Sequence, residues 1–144
     1  MTASGLEVWD KSIQTTNIWL DEIMNAAGSN RQAAWQALGA VVRTLRDHLP
    51  MELAAHLGMQ LPLLVRGAYF EQWRDPAHPL SMRSIDEFVD VVDQRLGHTR
   101  MDPVMITTAV FRTLAQHVDE RQIAKLFAGL PGSIRTSLGV PPAF

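Results

Sequence analysis

Ala40-Val41-Val42-Arg43-Thr44-Leu45 returns later in the chain as Ala109-Val110-Phe111-Arg112-Thr113-Leu114. The match extends both ways. Residues 16–67 align with residues 85–136 at a constant offset of 69 and without a gap. His48 falls on His117, Leu57 on Leu126, Leu61-Pro62 on Leu130-Pro131 and Arg66 on Arg135. Nearer the start of the unit, Asp21 falls on Asp90, Gly28 on Gly97 and Arg31 on Arg100. An internal repeat is a statement about architecture: one small unit was doubled, and neighbouring copies bury each other's apolar faces.

The unit is helical. Trp35, Leu38, Val41, Val42, Leu45 and Leu49 recur at three- and four-residue steps, which places them on one stripe of a helix. Met105, Ala109, Val110, Leu114 and Val118 form the second copy of that stripe. Ile85, Phe88, Val89, Val92 and Leu96 mark a helix before it, with Ser84 and Glu87 spaced as a capping box. Gly97 is placed to end that helix as a left-handed cap, and Gly28 holds the same place after Trp19, Leu20, Ile23 and Met24. Ser29 with Gln32 is expected to cap the next helix; in the second unit Asp102-Pro103 does so, with proline at the first helical position. Asp119 with Gln122 opens a third helix carrying Ile123, Leu126, Phe127 and Leu130, matched by Met51, Leu53, Ala54, Leu57 and Leu61.

Proline inside a helix costs about 3 kcal/mol, so Pro62 and Pro131 each end the third helix and open a short final turn, over 63–68 and 132–138. No window alternates as a strand. The reading is an all-α fold: six main helices, as two tandem three-helix repeats, packed as one pseudo-twofold bundle. Its single domain spans 1–144, with repeat one about 12–70, a linker at 71–83, repeat two about 84–138 and a tail at 139–144. Residues 6–12 add a turn or extend the first helix. A unit of about 52 residues would be marginal alone, since small chains bury too little of their surface; two packed together pass that limit.

Composition excludes several classes. There are no cysteines, hence no disulfide, thiolate metal site or cysteine nucleophile. Net charge is −2 with no basic block, which argues against a nucleic-acid partner. No apolar run approaches the roughly 20 residues that cross a bilayer, and the first residues lack the pattern of a signal peptide. The expected location is the cytoplasm. Arginine outnumbers lysine 11 to 2, which fits a bacterial, GC-rich genome.

Four stretches carry a family resemblance: 14–24 (QTTNIWLDEIM), 34–50 (AWQALGAVVRTLRDHLP), 54–73 (AAHLGMQLPLLVRGAYFEQW) and 86–89 (DEFV). They resemble the bacterial domain of unknown function 2267 family over nearly the whole chain, the middle stretch most specifically. The resemblance implies an all-α duplicated fold, and it brings no established activity, cofactor or catalytic residue. The ending departs from the family's usual leucine-proline segment that runs into an arginine and an aromatic residue. Here residues 130–138 (LPGSIRTSL) carry Gly132 and Ser133 where acidic or bulky residues are usual.

Candidate sites are few. His48 and His117 are equivalent in the repeat, so they could meet near an internal axis and hold a metal; both also sit where a helix dipole favours histidine, which explains them without a ligand. No HExxH or comparable spacing occurs. Arg43, Arg112, Arg66 and Arg135 could form paired anion sites, yet repetition in both halves favours a scaffold role, as it does for Gly28 and Gly97. Tyr69, Phe70, Trp73 and Arg74 have no counterpart in the second half. Aromatics at an edge anchor partners, though large aromatics more commonly plug a core. No nucleophile elbow, phosphate loop or dinucleotide fingerprint is present. The expectation is therefore a non-enzymatic module that binds another protein or itself, without cofactor, nucleic acid or membrane. The alternative is a small-ligand or metal-binding protein that uses the seam between the repeats.

Overall fold

The computed structural model describes residues 5–73, 84–97 and 101–128, the last three of these by backbone alone. Among them are seven helices and no strand: α1 Glu7–Ala27, α2 Arg31–His48, α3 Met51–Gln60, α4 Leu63–Phe70, α5 Ile85–Leu96, α6 Pro103–His117 and α7 Glu120–Ala128. The stretch expected as a short turn over 63–68 is thus a helix of eight residues, opened by Pro62 at its N-cap. The first helix begins at Glu7, so residues 7–12 extend it. The counterpart after Pro131 and the tail lie outside the described residues.

The helix ends follow local chemistry, with two corrections. Gly28 is left-handed (φ 66°, ψ 35°), and its N–H bonds the Met24 carbonyl at 2.8 Å. Gly97 also has positive φ, but its ψ of −125° puts it in the mirror image of the extended region, not in the left-handed cap expected. Ser84 accepts from Glu87 N–H at 3.3 Å, and Asp102 accepts from Val104 N–H at 3.0 Å with Pro103 behind it. The cap of α2 is Asn30, whose side chain accepts from Ala33 N–H at 2.8 Å; it is not Ser29, whose hydroxyl is buried without a partner among the described residues. Asp119 accepts from Arg121 and Gln122 N–H.

α2 is the central helix and lies against α1, α3, α4, α5 and α6. Its stripe is small and apolar. Ala34, Ala37, Leu38, Val41, Val42 and Leu45 are buried, while Trp35, expected on that stripe, is partly exposed; alanines take its place and let the neighbours approach. Around it, Trp19, Leu20 and Ile23 of α1, Phe88 and Val92 of α5 and Phe111 and Leu114 of α6 form one core. Each such large side chain contributes about 1.5–3 kcal/mol on burial. α1 packs on both α2 and α6, and α5 on the same two helices. The acidic residues Asp86, Glu87, Asp90 and Asp93 face solvent. No helix among the described residues is long and apolar enough to cross a membrane.

Candidate functional site

The unmatched aromatics sit at the C-terminal end of α4, and arginines place them. A helix leaves its last four carbonyls without intrahelical partners, at the negative end of its dipole. Arg43 Nε donates to the Ala68 carbonyl at 2.9 Å. Arg46 donates to the carbonyls of Tyr69 (2.7 Å) and Glu71 (2.8 Å). Arg66 does the same for α3, donating to Gly58, Met59 and Leu61 carbonyls at 3.1–3.2 Å. Arg43 and Arg66 thus each bind carbonyls of their own chain.

Tyr69 is 0% exposed, and its hydroxyl donates to the Ala54 carbonyl at 2.6 Å. Burial pushes its ionisation well above the ordinary phenol value. Phe70 meets the Tyr69 ring edge-on at 5.0 Å and leans on Trp73 at 5.5 Å. The turn that folds Trp73 back uses Gln72 at φ 57°, a left-handed conformation uncommon for a residue other than glycine. Phe70 and Trp73 are half-buried and packed against the core. Trp73 Nε1 is buried without a partner among the described residues. The trio is thus mainly an internal plug, and Tyr69 is taken up entirely within the chain. Arg74, expected at the same edge, lies outside the described residues, as does Arg135.

The two repeat histidines go to different helices. His48 Nδ1 donates to the Thr44 carbonyl at 2.6 Å, and its ring stands 6.1 Å from Phe88 of α5. Burial is the main cause holding its pKa below 6.5, so it is neutral near pH 7. His117 Nε2 donates to both Glu22 carboxylate oxygens at 2.9 Å and stacks on Trp19 of α1. They share no partner, and no group of three or more metal-binding side chains occurs among the described residues.

A charged cluster escaped the sequence reading. Asp47 pairs with Arg46 at 2.9 Å and, in a short contact, with Arg95 of α5; Arg95 also donates to the Thr44 hydroxyl at 3.2 Å. Burial raises the Asp47 carboxyl, but the two guanidinium groups outweigh it and hold it below 3.8. The cluster ties α2, α4 and α5 together. Its signal was present: at offset 69, Arg46-Asp47 becomes Ala115-Gln116, a charged pair in one half only.

One cleft, of about 260 Å³, lies where the end of α1 meets the outer face of α6, lined by Ala26, Val104, Met105, Thr108, Ala109 and Arg112, with Asp102 at the start of α6. Arg112 is exposed and has no partner among the described residues, unlike its counterpart Arg43.

No curated protein matches the chain. The model of one family, described as an uncharacterised conserved protein, matches residues 16–136. On that match, which spans most of its length, the chain belongs to the DUF2267 family.

Proposed function

We propose that this chain is a non-enzymatic helical module of the bacterial cytoplasm, a duplicated unit packed about a pseudo-twofold axis, that associates with another protein or with itself. One observation carries the reading. Leu6, Trp9, Ile13, Thr16, Leu20 and Ile23 run along α1 in alternating three- and four-residue steps, the spacing of a helix-packing seam. Thr16, Leu20 and Ile23 are buried in the core. Leu6, Trp9 and Ile13 carry the same stripe on, yet are 51%, 57% and 45% exposed. A continuous apolar stripe that runs past its own bundle suits a contact outside it, and a tryptophan at its middle is the residue type that most often anchors one.

Its exposed residues Leu6, Trp9 and Ile13 lie before residue 16, where the family match starts. It replaces the Tyr69–Trp73 edge as the favoured surface, because Tyr69 is buried. The duplicated arrangement is supported by the way α1 and α5 each pack on both α2 and α6, and by His48 and His117, each set against the other half's first helix.

Sedimentation equilibrium over a concentration series, with capture from host extract, tests the module. Self-association or a specific partner, lost in Trp9→Ala and Ile13→Asp, is the expected result. A strict monomer that captures nothing, whether or not those residues are changed, rejects it. A second reading, a small ligand held between the halves, is favoured by the cleft between α1 and α6.

A further inference from the structure

The observations carry that second reading further. Resting on it, we propose that the cleft between α1 and α6 binds an amphipathic carboxylate, its head on Arg112 and its apolar body along Ala26, Val104, Met105 and Ala109. Three features point to this chemistry.

The first is charge. The described arginines 31, 43, 46, 66 and 95 are each engaged by carbonyl, hydroxyl, amide or carboxylate oxygens of the chain. Arg112, like Arg121 of α7, has no such partner among the described residues; of the two, Arg112 borders the cleft, and its guanidinium is a donor fork suited to a carboxylate. A single guanidinium matches a single negative charge. Asp102, whose carboxylate already caps α6, repels a second negative charge at the opposite end.

The second is shape. Val104, Thr108 and Arg112 follow one another at four-residue steps along α6, so the cleft runs parallel to the helix axis. From Val104 to Arg112 the helix rises about 12 Å, the reach of a medium-length alkyl chain. The volume of about 260 Å³ holds the equivalent of about nine waters. Releasing them from walls of alanine, valine and methionine favours an apolar occupant.

The third is the repeat. At offset 69 the counterparts of Ala26 and Val104 are Arg95 and Trp35, both larger. The counterpart of Arg112 is Arg43, tied to the Ala68 carbonyl and to Glu71. At these two positions the face has smaller walls, whereas Thr108 is larger than its counterpart Gly39, and Arg112 has no partner among the described residues.

The test is calorimetric titration of the full chain with decanoate, with decanol and decylammonium as probes of the same tail. Expected are saturable one-to-one binding of decanoate and binding weaker by about tenfold or more for the other two. Arg112→Gln should weaken decanoate by a similar factor without moving the thermal midpoint, and Ala26→Trp, which fills the cleft from an exposed position, should abolish it. Decanol binding as tightly as decanoate overturns the carboxylate assignment and leaves the seam as a ligand site. Unsaturable binding, or binding indifferent to Ala26→Trp, overturns both. A lowered midpoint in Arg112→Gln with unchanged affinity makes Arg112 structural and overturns the proposal.

Discussion

His117 of α6 stacks on Trp19 of α1, with ring centroids 5.1 Å apart and planes 22° from parallel. Sixty-nine residues separate Trp19 from Phe88 and His48 from His117, and His48 leans on Phe88 at 6.1 Å. Each histidine closes the end of a second helix against an aromatic on the first helix of the other half. The contact is the same in kind, but the chemistry has diverged. His117 is anchored by a carboxylate from outside its helix, and His48 by its own helix's carbonyl.

That divergence gives a pH dependence with a definite sign. The folded chain holds His48 below 6.5, so between that value and the lower folded one the unfolded chain binds a proton that the folded chain does not. Stability therefore falls as pH drops below 6.5. Asp47, held below 3.8, has the same sign in a lower window: its contribution is present above 3.8 and is lost as pH falls through the folded value. Thermal midpoints taken from about pH 7.5 to about pH 5.5 should decline, and His48→Gln should flatten that decline. Asp47→Asn should lower the midpoint at neutral pH and remove the loss below about pH 4. A His48→Gln profile parallel to the parent would refute the assignment.

Arg46 is 5% exposed and holds two carbonyls and a carboxylate. Arg46→Met leaves these groups short of donors in a dry setting, at an expected cost of about 3–5 kcal/mol by urea unfolding. Arg46→Lys should recover only part, because an ammonium lacks the fork that reaches both the α4 carbonyls and Asp47. Equal stability of parent and Arg46→Met would show the cluster to be energetically idle.

Gly58 faces the Phe70 ring so closely that an added Cβ would stand 2.4 Å from it. Gly58→Ala should destabilise by about 1–3 kcal/mol through that overlap, despite alanine's better helix propensity. In a Phe70→Ala background only the Tyr69 ring stays close, at 3.1 Å, so the same change should cost less by about 1 kcal/mol or more. A double-mutant cycle followed by tryptophan fluorescence reads this coupling; an equal cost in both backgrounds would count against the packing described for α4.

At the start of α2 the two neighbours should behave differently. Asn30→Ala removes the observed cap and should cost about 1 kcal/mol. Ser29→Ala removes a buried hydroxyl that has no partner among the described residues, so the change should be neutral within about 0.5 kcal/mol or stabilising. Chemical denaturation of the two variants separates them, and a larger loss for Ser29→Ala would restore serine as the cap.

Much of this was legible in the chain. The all-helical class and the placement of Asp102-Pro103, Ser84 and Pro62 at helix starts are local matters of periodicity, dihedral restriction and capping chemistry, which few residues suffice to specify. Local pattern failed where two groups compete for one task. Ser29 and Asn30 are both good caps, and only the entry angle of α2 selects Asn30. Trp35 fits the apolar stripe by spacing, but it stands 36% exposed while Ala34 and Ala37 are buried.

The role of each arginine was beyond local reading altogether. Arg43 and Arg112 sit in near-identical hexapeptides, so nothing in their surroundings along the chain separates them. One is bonded to the end of α4, and the other borders a cleft. The difference arises because hydrogen-bond partners and cleft walls come from residues far apart in sequence, Ala68 for Arg43 and Ala26 for Arg112, and only packing brings them within reach.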